Sequence, residues 1–464
     1  VIVVVSDLHL TDGSGTTVEP GAFSVFTRLL GSMVRQASHR GQTFRLIDEG
    51  IDLVLLGDVL DLLRSARWPG RTSAAEHPPR PWEDPAAIAP TVADVVEGVL
   101  ARNDEGLALL RTLAAEGALF HESSVPYRVP VRIWYFVGNH DWLLRLPGGA
   151  YDAIRARVVA ALGLANDPAA PFPHELVEAD EGLRGRVREH RLVLRHGDVH
   201  DPVNCPGDRN ASGLGDAVVI ELLNRFPDAV RSELGLEADD PLYHTLREIE
   251  NVRPFTVIPP WVLGVIRRFR LEGTPRGRAL LGVWEALADR FFELPFVRAQ
   301  DRFLRWDAVD RLQLEFRVVA AFATSRPQRW LAGQLLRFAP DRNLRYAQHA
   351  LAEPEIAAGE ADHVVYGHTH AQEIRPLAAR RVPAAAVPEP GRGRDIRAGP
   401  GERVQRQYYF NCGTWRPTYR QTLANPERLD FLGHHTLPIL AFYRGDERAG
   451  RGFEVWQGSL ATEA

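Results

Sequence analysis

Val1-Ile2-Val3-Val4-Val5-Ser6-Asp7-Leu8-His9-Leu10 is the stretch around which the rest of the chain is organised. An unbroken apolar run rich in β-branched residues, cut off by polar ones, suits a strand buried on both faces of a parallel sheet. Along an extended chain, alternation sends Asp7 and His9 to the same side, so a hard oxygen ligand and an imidazole converge on one cation. Alone, an Asp-x-His pair is weak evidence, because such pairs also occur as ordinary polar strand ends. Its weight comes from recurrence.

The same arrangement returns four times. Ile51 to Leu56 reads as a buried strand that ends in Gly57, Asp58 and Asp61. Val131 to Val137 ends in Gly138, Asn139, His140 and Asp141. Arg191 to Arg195 runs into His196, Gly197 and Asp198, and His363 to Tyr366 runs into Gly367, His368, Thr369 and His370. Helical spacing of apolar residues over Ala22 to Ala37, Val92 to Ala115 and Tyr151 to Leu162 predicts the helices between these strands. In α/β folds ligands gather outside the carboxyl ends of the strands, and this is where all five ligand-bearing ends would lie.

Coordination arithmetic then points to two cations. Asp7, His9, Asp58, Asn139, His196, His368 and His370 offer more donors than one ion accepts with room left for a substrate. A shared Asp58 gives each ion about four protein ligands and leaves open positions, the arrangement that two-metal hydrolysis uses. Carboxylate, amide and imidazole donors without thiolate fit manganese, iron or zinc better than calcium or a structural zinc. With two divalent or trivalent ions in place, a metal-bridging water of lowered pKa would supply a hydroxide nucleophile, and no covalent enzyme intermediate is required.

Beyond these blocks, 464 residues at 45% hydrophobic content can bury a large core. The net charge of −5 gives no global reason to expect nucleic acid. All basic residues are Arg, and the two cysteines, Cys205 and Cys412, make no disulfide framework, which favours a reducing, cytoplasmic setting. No stretch of eighteen apolar residues occurs, and no basic region precedes the first apolar run, so neither a spanning helix nor a signal peptide is expected.

Residues 62–90 and 381–404 read as long loops, rich in Pro, Arg, Gly and Ala. Residues 202–350 carry amphipathic helical patterns (Ala217 to Phe226, Trp261 to Phe269, Leu280 to Phe292, Phe303 to Phe322, Trp330 to Phe338) and little strand signal. They read as a helical insertion capping the site, set into a core of residues 1–201 and 351–464. Closing strands are expected near Gln407 to Phe410, Leu437 to Phe442 and Gly452 to Trp456.

The ordered blocks Asp-x-His, Gly-Asp-x-x-Asp, Gly-Asn-His-Asp, His-Gly-Asp and Gly-His-x-His resemble those of the calcineurin-like metallophosphoesterase superfamily. The resemblance covers roughly Val1 to His200 and Asp362 to Trp415. Within the superfamily, the Ser-Asp-Leu-His-Leu opening and the Gly-Thr-Trp block look most like the UDP-2,3-diacylglucosamine pyrophosphohydrolase branch, whose members are much shorter and often carry Arg where His140 stands. The resemblance implies a layered α/β/β/α sandwich and a phosphatase-like hydrolase of phosphomonoester, phosphodiester or pyrophosphate bonds. It also implies one metal on Asp7, His9 and His370, another on Asn139, His196 and His368, and Asp58 joining them. His140 would contact the phosphate and protonate the leaving oxygen, with Asp141 orienting it.

Asp61 and Asp198 read as groups that orient ligands. Asn411 and Trp415 read as a turn packed beside the centre, and His200 and Asp201 as residues near the substrate. His39, His77, His121 and His349 read as ordinary surface histidines. Arg267, Arg268, Arg270, Arg276 and Arg278, near Trp261, Phe269 and Leu280, suit either a solvated cap or a peripheral membrane contact. The substrate expected is a small phosphate ester. The alternatives are a nucleic-acid exonuclease or phosphodiesterase on the same fold, supported by the Arg-rich insertion and opposed by the net acidity, and a non-catalytic scaffold, which would be expected to lack ligands.

Overall fold

The five strand ends belong to two sheets. In the computed structural model, which describes residues 1–464 except 48, 69–78, 302–306, 314–315, 317–341, 384–401, 425–427 and 462–464, the chain is a mixed α/β protein. The first sheet contains β1 (Ile2–Val5), β4 (Ile51–Leu56), β7 (Val131–Phe136), β12 (Thr418–Gln421), β13 (Phe431–Phe442) and β14 (Phe453–Ala461). The second contains β8 (Leu192–Leu194), β9 (His363–Tyr366), β10 (Glu373–Pro383) and β11 (Glu402–Asn411). Two short hairpins, β2–β3 (His39–Arg40, Thr43–Phe44) and β5–β6 (Ala118–Glu122, Val125–Val129), stand apart from both.

Both sheets are mixed, where the opening strand alone suggested a parallel one. β1 pairs in parallel with β4 (Val5 opposite Leu55), and β4 with β7, but β13 closes against β1 in antiparallel register (Val3 opposite Ala441). In the second sheet β8, β9 and β11 run parallel while β10 turns back on β11. The crossover-connected strands therefore lie toward one edge of each sheet, β7 and β8 outermost, and the antiparallel strands toward the other. β1 is buried on both faces all the same.

Alternation along the strands sorts the core. Ile2, Val4, Val54, Leu56, Trp134 and Phe136 of the first sheet gather with Leu192, Leu194, Val365 and Phe410 of the second. The opposite face of the first sheet, with Val3, Val5, Leu53, Leu55 and Ile133, packs against α1 (Pro20–Ala37), α2 (Pro85–Arg102), α3 (Asp104–Glu116) and α4 (Gly149–Leu162). The opposite face of the second, with Val193, Val364, Tyr366 and Tyr409, meets Tyr346, Ala347 and Ala350 of the helix Arg342–Leu351. Each large side chain so buried contributes about 1.5–3 kcal/mol, so both sheets are held from two sides.

The described residues of 202–350 form helices and turns and no strand. Leu214, Phe226, Trp261, Leu280, Trp284 and Phe291 join the same apolar cluster as α1–α4, so this segment has no core of its own. Its end differs from the expected boundary: the helix Arg342–Leu351 covers the second sheet instead of the insertion. The patterns at Phe303 to Phe322 and Trp330 to Phe338 lie largely or wholly outside the described residues.

Other differences have local causes. The loop expected to reach Pro90 gives way to helix at Pro85, because Asp84 accepts the Ala86 N–H and Pro85 needs no partner in the first turn. The helical pattern from Val92 to Ala115 is two helices broken at Asn103, whose side chain returns to the Val99 carbonyl. The expected 381–404 loop is strand at both ends, with Arg381 opposite Val404 and Pro383 opposite Glu402; residues 384–401 lie outside the described set. Of the residues offered for a membrane face, Trp261 and Leu280 are buried while Arg267, Arg268, Arg270, Arg276 and Arg278 are exposed. No helix among the described residues is long and apolar enough to cross a membrane.

Candidate metal centre

The strands stop just short of the polar residues, and the backbone then turns sharply. Asp7, His9, Asp58, His368 and His370 all have φ between 48° and 67°. This is the left-handed region, which costs a residue with a side chain about 1–3 kcal/mol each time and concentrates at functional sites. It also corrects the sequence reading of Asp7 and His9. They converge through two left-handed turns, not through the alternation of an extended strand.

The turns are held by their neighbours. The Asp7 and His9 N–H groups donate to the Gly57 and Asp58 carbonyls at 3.1 and 2.9 Å, so the β1 and β4 ends run side by side. The Asp7 carbonyl accepts from Thr414 Oγ1 at 2.6 Å and from the Trp415 N–H, and Asn411 Nδ2 donates to the Gly367 carbonyl at 2.7 Å. The Asn-Cys-Gly-Thr-Trp block is thus the turn that pins two ligand-bearing loops. Gly138 is required by close approach: a Cβ there would fall 2.6 Å from His196 Nε2 and against Asp58 Oδ1.

The seven residues meet in two groups that share a side. In the first, His9 Nε2 lies 2.9 Å from His370 Nε2, and Asp7 Oδ1 lies 3.3 Å from His370 Nε2 and 3.8 Å from His9 Nε2. In the second, His196 Nε2 lies 3.3 Å from Asp58 Oδ2, and Asn139 Oδ1 lies 2.8 Å from His368 Nδ1. Asp58 Oδ2 is also 3.7 Å from His9 Nε2, which places it between the groups. One ligand atom from each of Asp7, His9 and His370 lies within 4.8 Å of the others, and the same holds for Asp58, His196 and His368.

These residues fit cations. His196 Nδ1 is tied to the Leu56 carbonyl at 2.9 Å, and its buried Nε2 has no hydrogen-bond partner. His9 Nδ1 is tied to Asp61 Oδ2 at 3.1 Å, which again turns Nε2 inward. Two imidazole nitrogens 2.9 Å apart beside a carboxylate need a positive centre between them, a proton or a metal ion. Outer nitrogens fixed by carbonyl or carboxylate acceptors are how metal-binding imidazoles are oriented. Asn139, whose amide nitrogen is 3.4 Å from Asn204 Oδ1, directs its oxygen at His368.

His140 is oriented by Asp61, not by the expected Asp141. Its ring Nδ1 lies 2.8 Å from Asp61 Oδ1, and its backbone N–H donates to Asp58 Oδ1 at 2.8 Å. The Asp141 carboxylate is occupied by the Tyr135 hydroxyl at 2.6 Å and the Val59 and Gly138 N–H groups. All three contacts hold the loop rather than the ring. Asp61 therefore carries two imidazoles, one on each oxygen. Arg416 Nη1 adds a third contact at 3.1 Å from Oδ2; the sequence reading missed this residue, although it directly follows Trp415.

The remaining nominated groups sit around the rim. Asp198 pairs with Arg209, and Asp201 Oδ2 is 3.3 Å from His368 Nε2. His200 stacks on His349 at 4.2 Å between ring centroids and reaches the Tyr366 hydroxyl at 3.3 Å, so His349 is not the isolated surface histidine expected. His39 is half-buried, His121 is exposed, and His77 lies outside the described residues.

Electrostatics set the proton inventory. Burial opposes charge on His140, but Asp61 and Asp58 outweigh it and lift the ring to about 10. Burial likewise opposes charge on His196, yet Asp58 lifts it to about 10. Burial and the neighbouring Asp58 push Asp141 up to about 6. Burial would raise Asp7, but hydrogen bonds with His370 and His9 hold it well below the usual carboxylate range.

The sign of the pH effect on metal binding follows. With its proton affinity raised to about 10, His196 is protonated at neutral pH until a cation displaces that proton. Apparent affinity for Mn²⁺ should rise with pH, by about tenfold per unit for each proton displaced. Calorimetric titrations at pH 6 and pH 8 in buffers of different ionisation enthalpy would register the released protons. Affinity that is flat across that range would contradict a cation bound at His196.

No protein-family model matches the chain, and no curated protein matches it.

Proposed function

We propose that the chain is a dinuclear metal-dependent hydrolase of phosphate esters, built on the α/β/β/α sandwich that its sequence blocks resemble. The observation that carries this reading is the position of Asp58, within reach of both histidine groups and buried between them. A carboxylate shared between two sets of inward-turned imidazoles is what a two-cation site requires. It has no evident purpose in a packed core, where buried ionic groups raise the cost of folding.

Asp7, His9 and His370 would hold one cation, Asn139, His196 and His368 the other, and Asp58 both. When bound, the pair supplies Lewis-acid stabilisation of phosphoryl charge and lowers the pKa of water. His140 supplies the acid. With Nδ1 engaged by Asp61, its Nε2 is the ring atom left to protonate a leaving oxygen, and the Asp61 carboxylate favours the protonated ring against the effect of burial. Asp61 fixes the ring against rotation, so the proton is presented in one direction. The substrate class we propose is a small phosphate ester.

The test is metal analysis of the purified protein followed by assays on chromogenic phosphate mono- and diesters with added Mn²⁺. About two cations per chain and metal-dependent turnover are expected. A folded protein that takes up no transition metal and hydrolyses neither ester would refute the proposal.

A further inference from the structure

Asp61 is linked to the 202–350 segment through buried charge. Arg416 bridges Asp61 Oδ2, at 3.1 Å from Nη1, and Glu250 Oε2, at 3.3 Å from Nη2. Glu250 Oε1 in turn accepts from Arg64 Nη1 at 3.1 Å. Arg64 closes the circuit: its backbone N–H donates to Asp61 Oδ1 at 3.1 Å, and its other guanidinium contacts are Asn224 and the Arg247 carbonyl. Arg64, Arg416 and Glu250 are each no more than 4% exposed, and Asp61 is fully buried.

The short helix Arg247–Asn251 that bears Glu250 is clamped from several sides. Arg247 donates to the Gly13 carbonyl, and Thr16 donates to Glu248 at 2.6 Å, both on the loop that follows His9. Val252 bridges Tyr419, and the Arg253 N–H donates to the Tyr419 carbonyl at 2.9 Å. Gly15 leaves the space that the two guanidinium groups fill, since a Cβ there would lie 3.0 Å from Arg64 Nε and 3.6 Å from Arg416 Nη2. A segment free to open as a lid would have to break this buried ionic chain, and leaving one partner unpaired in such a chain is strongly unfavourable.

We infer that Glu250 and Arg416 are positioning residues: through them the short helix Arg247–Asn251 fixes the Asp61 carboxylate that carries His9 and His140, making that helix a stationary brace of the site. This inference rests on the proposed hydrolase reading for its catalytic consequence, though not for its geometry. Displacement of Asp61 would misdirect the His140 proton, and a misplacement of about 1 Å can cost on the order of a hundredfold.

The test compares wild type with Glu250→Gln and with Arg416→Lys, which keeps the charge but cannot span two carboxylates as a planar fork does. Metal content, kcat and KM are measured on phenyl and p-nitrophenyl esters of the kind the wild type hydrolyses, alongside amide hydrogen exchange over residues 57–64 and 247–253. At saturating Mn²⁺ the metal content should persist, with apparent affinity lowered because Asp61 also orients His9, and KM should change by less than about threefold. kcat should fall by about tenfold or more on the phenyl ester and much less on the p-nitrophenyl ester, whose leaving group needs little protonation. A smaller folded fraction would lower both esters alike, and equal loss on both, or unchanged kcat in both variants, overturns the inference. Should the wild type bind no metal and turn over neither ester, the hydrolase reading fails on its own. The exchange data still decide the brace: faster exchange over both segments in Glu250→Gln supports it, and unchanged protection overturns it.

Discussion

Asp58→Ala should strip the protein of most of its bound metal and reduce turnover by about 10³- to 10⁴-fold, the equivalent of several kcal/mol of lost charge stabilisation. Three contacts make Asp58 the position of largest effect. Its Oδ2 lies 3.3 Å from His196 Nε2 and 3.7 Å from His9 Nε2, and its Oδ1 accepts the His140 N–H at 2.8 Å. No other candidate ligand touches both groups and the proposed acid at once. The fold should survive, because β1, β4 and β7 pair through backbone and apolar contacts that do not involve this carboxylate. Circular dichroism establishes that, and mass-spectrometric metal analysis reads the loss. Wild-type metal content in a folded Asp58→Ala protein would remove the shared-ligand assignment.

The second large effect separates chemistry from binding. His140→Ala should keep its metal and lose about 10²- to 10⁴-fold in kcat, the usual range for general-acid catalysis. The loss should be greater on alkyl or phenyl esters than on p-nitrophenyl esters. pH dependence adds an independent sign. Because Asp61 and Asp58 lift His140 against the effect of burial, the acid form is favoured and activity should decline on the alkaline side as the ring loses its proton. In Asp61→Asn one of the raising carboxylates is gone, so the alkaline limb should move to lower pH. A His140→Ala enzyme with full kcat on every ester would exclude the ring as the proton donor.

Much of this arrangement was legible in the residues, for an identifiable reason. Buried strands such as Val1–Val5 and Ile51–Leu56 are written as unbroken apolar runs, so the polar residues that end them stand out. Their convergence follows from strand pairing, which brings the Asp7 and Asp58 loops side by side. Less visible was anything set by side-chain reach. Whether Asp61 or Asp141 faces His140 depends on how the loops after β4 and β7 meet, and both lie within a few positions of a ligand. Arg416 and Glu250 are far apart in the chain, and no period or motif joins them.

The same distinction holds for the fold. α2 begins at Pro85 because one capping contact decides it, and a stretch rich in Pro and Arg masks that signal. The hairpin β10–β11 runs further than expected because its outward residues are Arg, Glu and Ala, which give alternation little apolar contrast. Left-handed conformations at Asp7, His9, Asp58, His368 and His370 have no residue signature comparable to glycine. They record tertiary constraint, not local preference.

The most direct measurement is an anomalous-scattering map from crystals grown with Mn²⁺. Two peaks about 3.5–4 Å apart on either side of Asp58 are expected. One should sit among Asp7, His9 and His370, and the other among Asn139, His196 and His368. A single peak, or density remote from Asp58, would contradict a cation pair shared by Asp58.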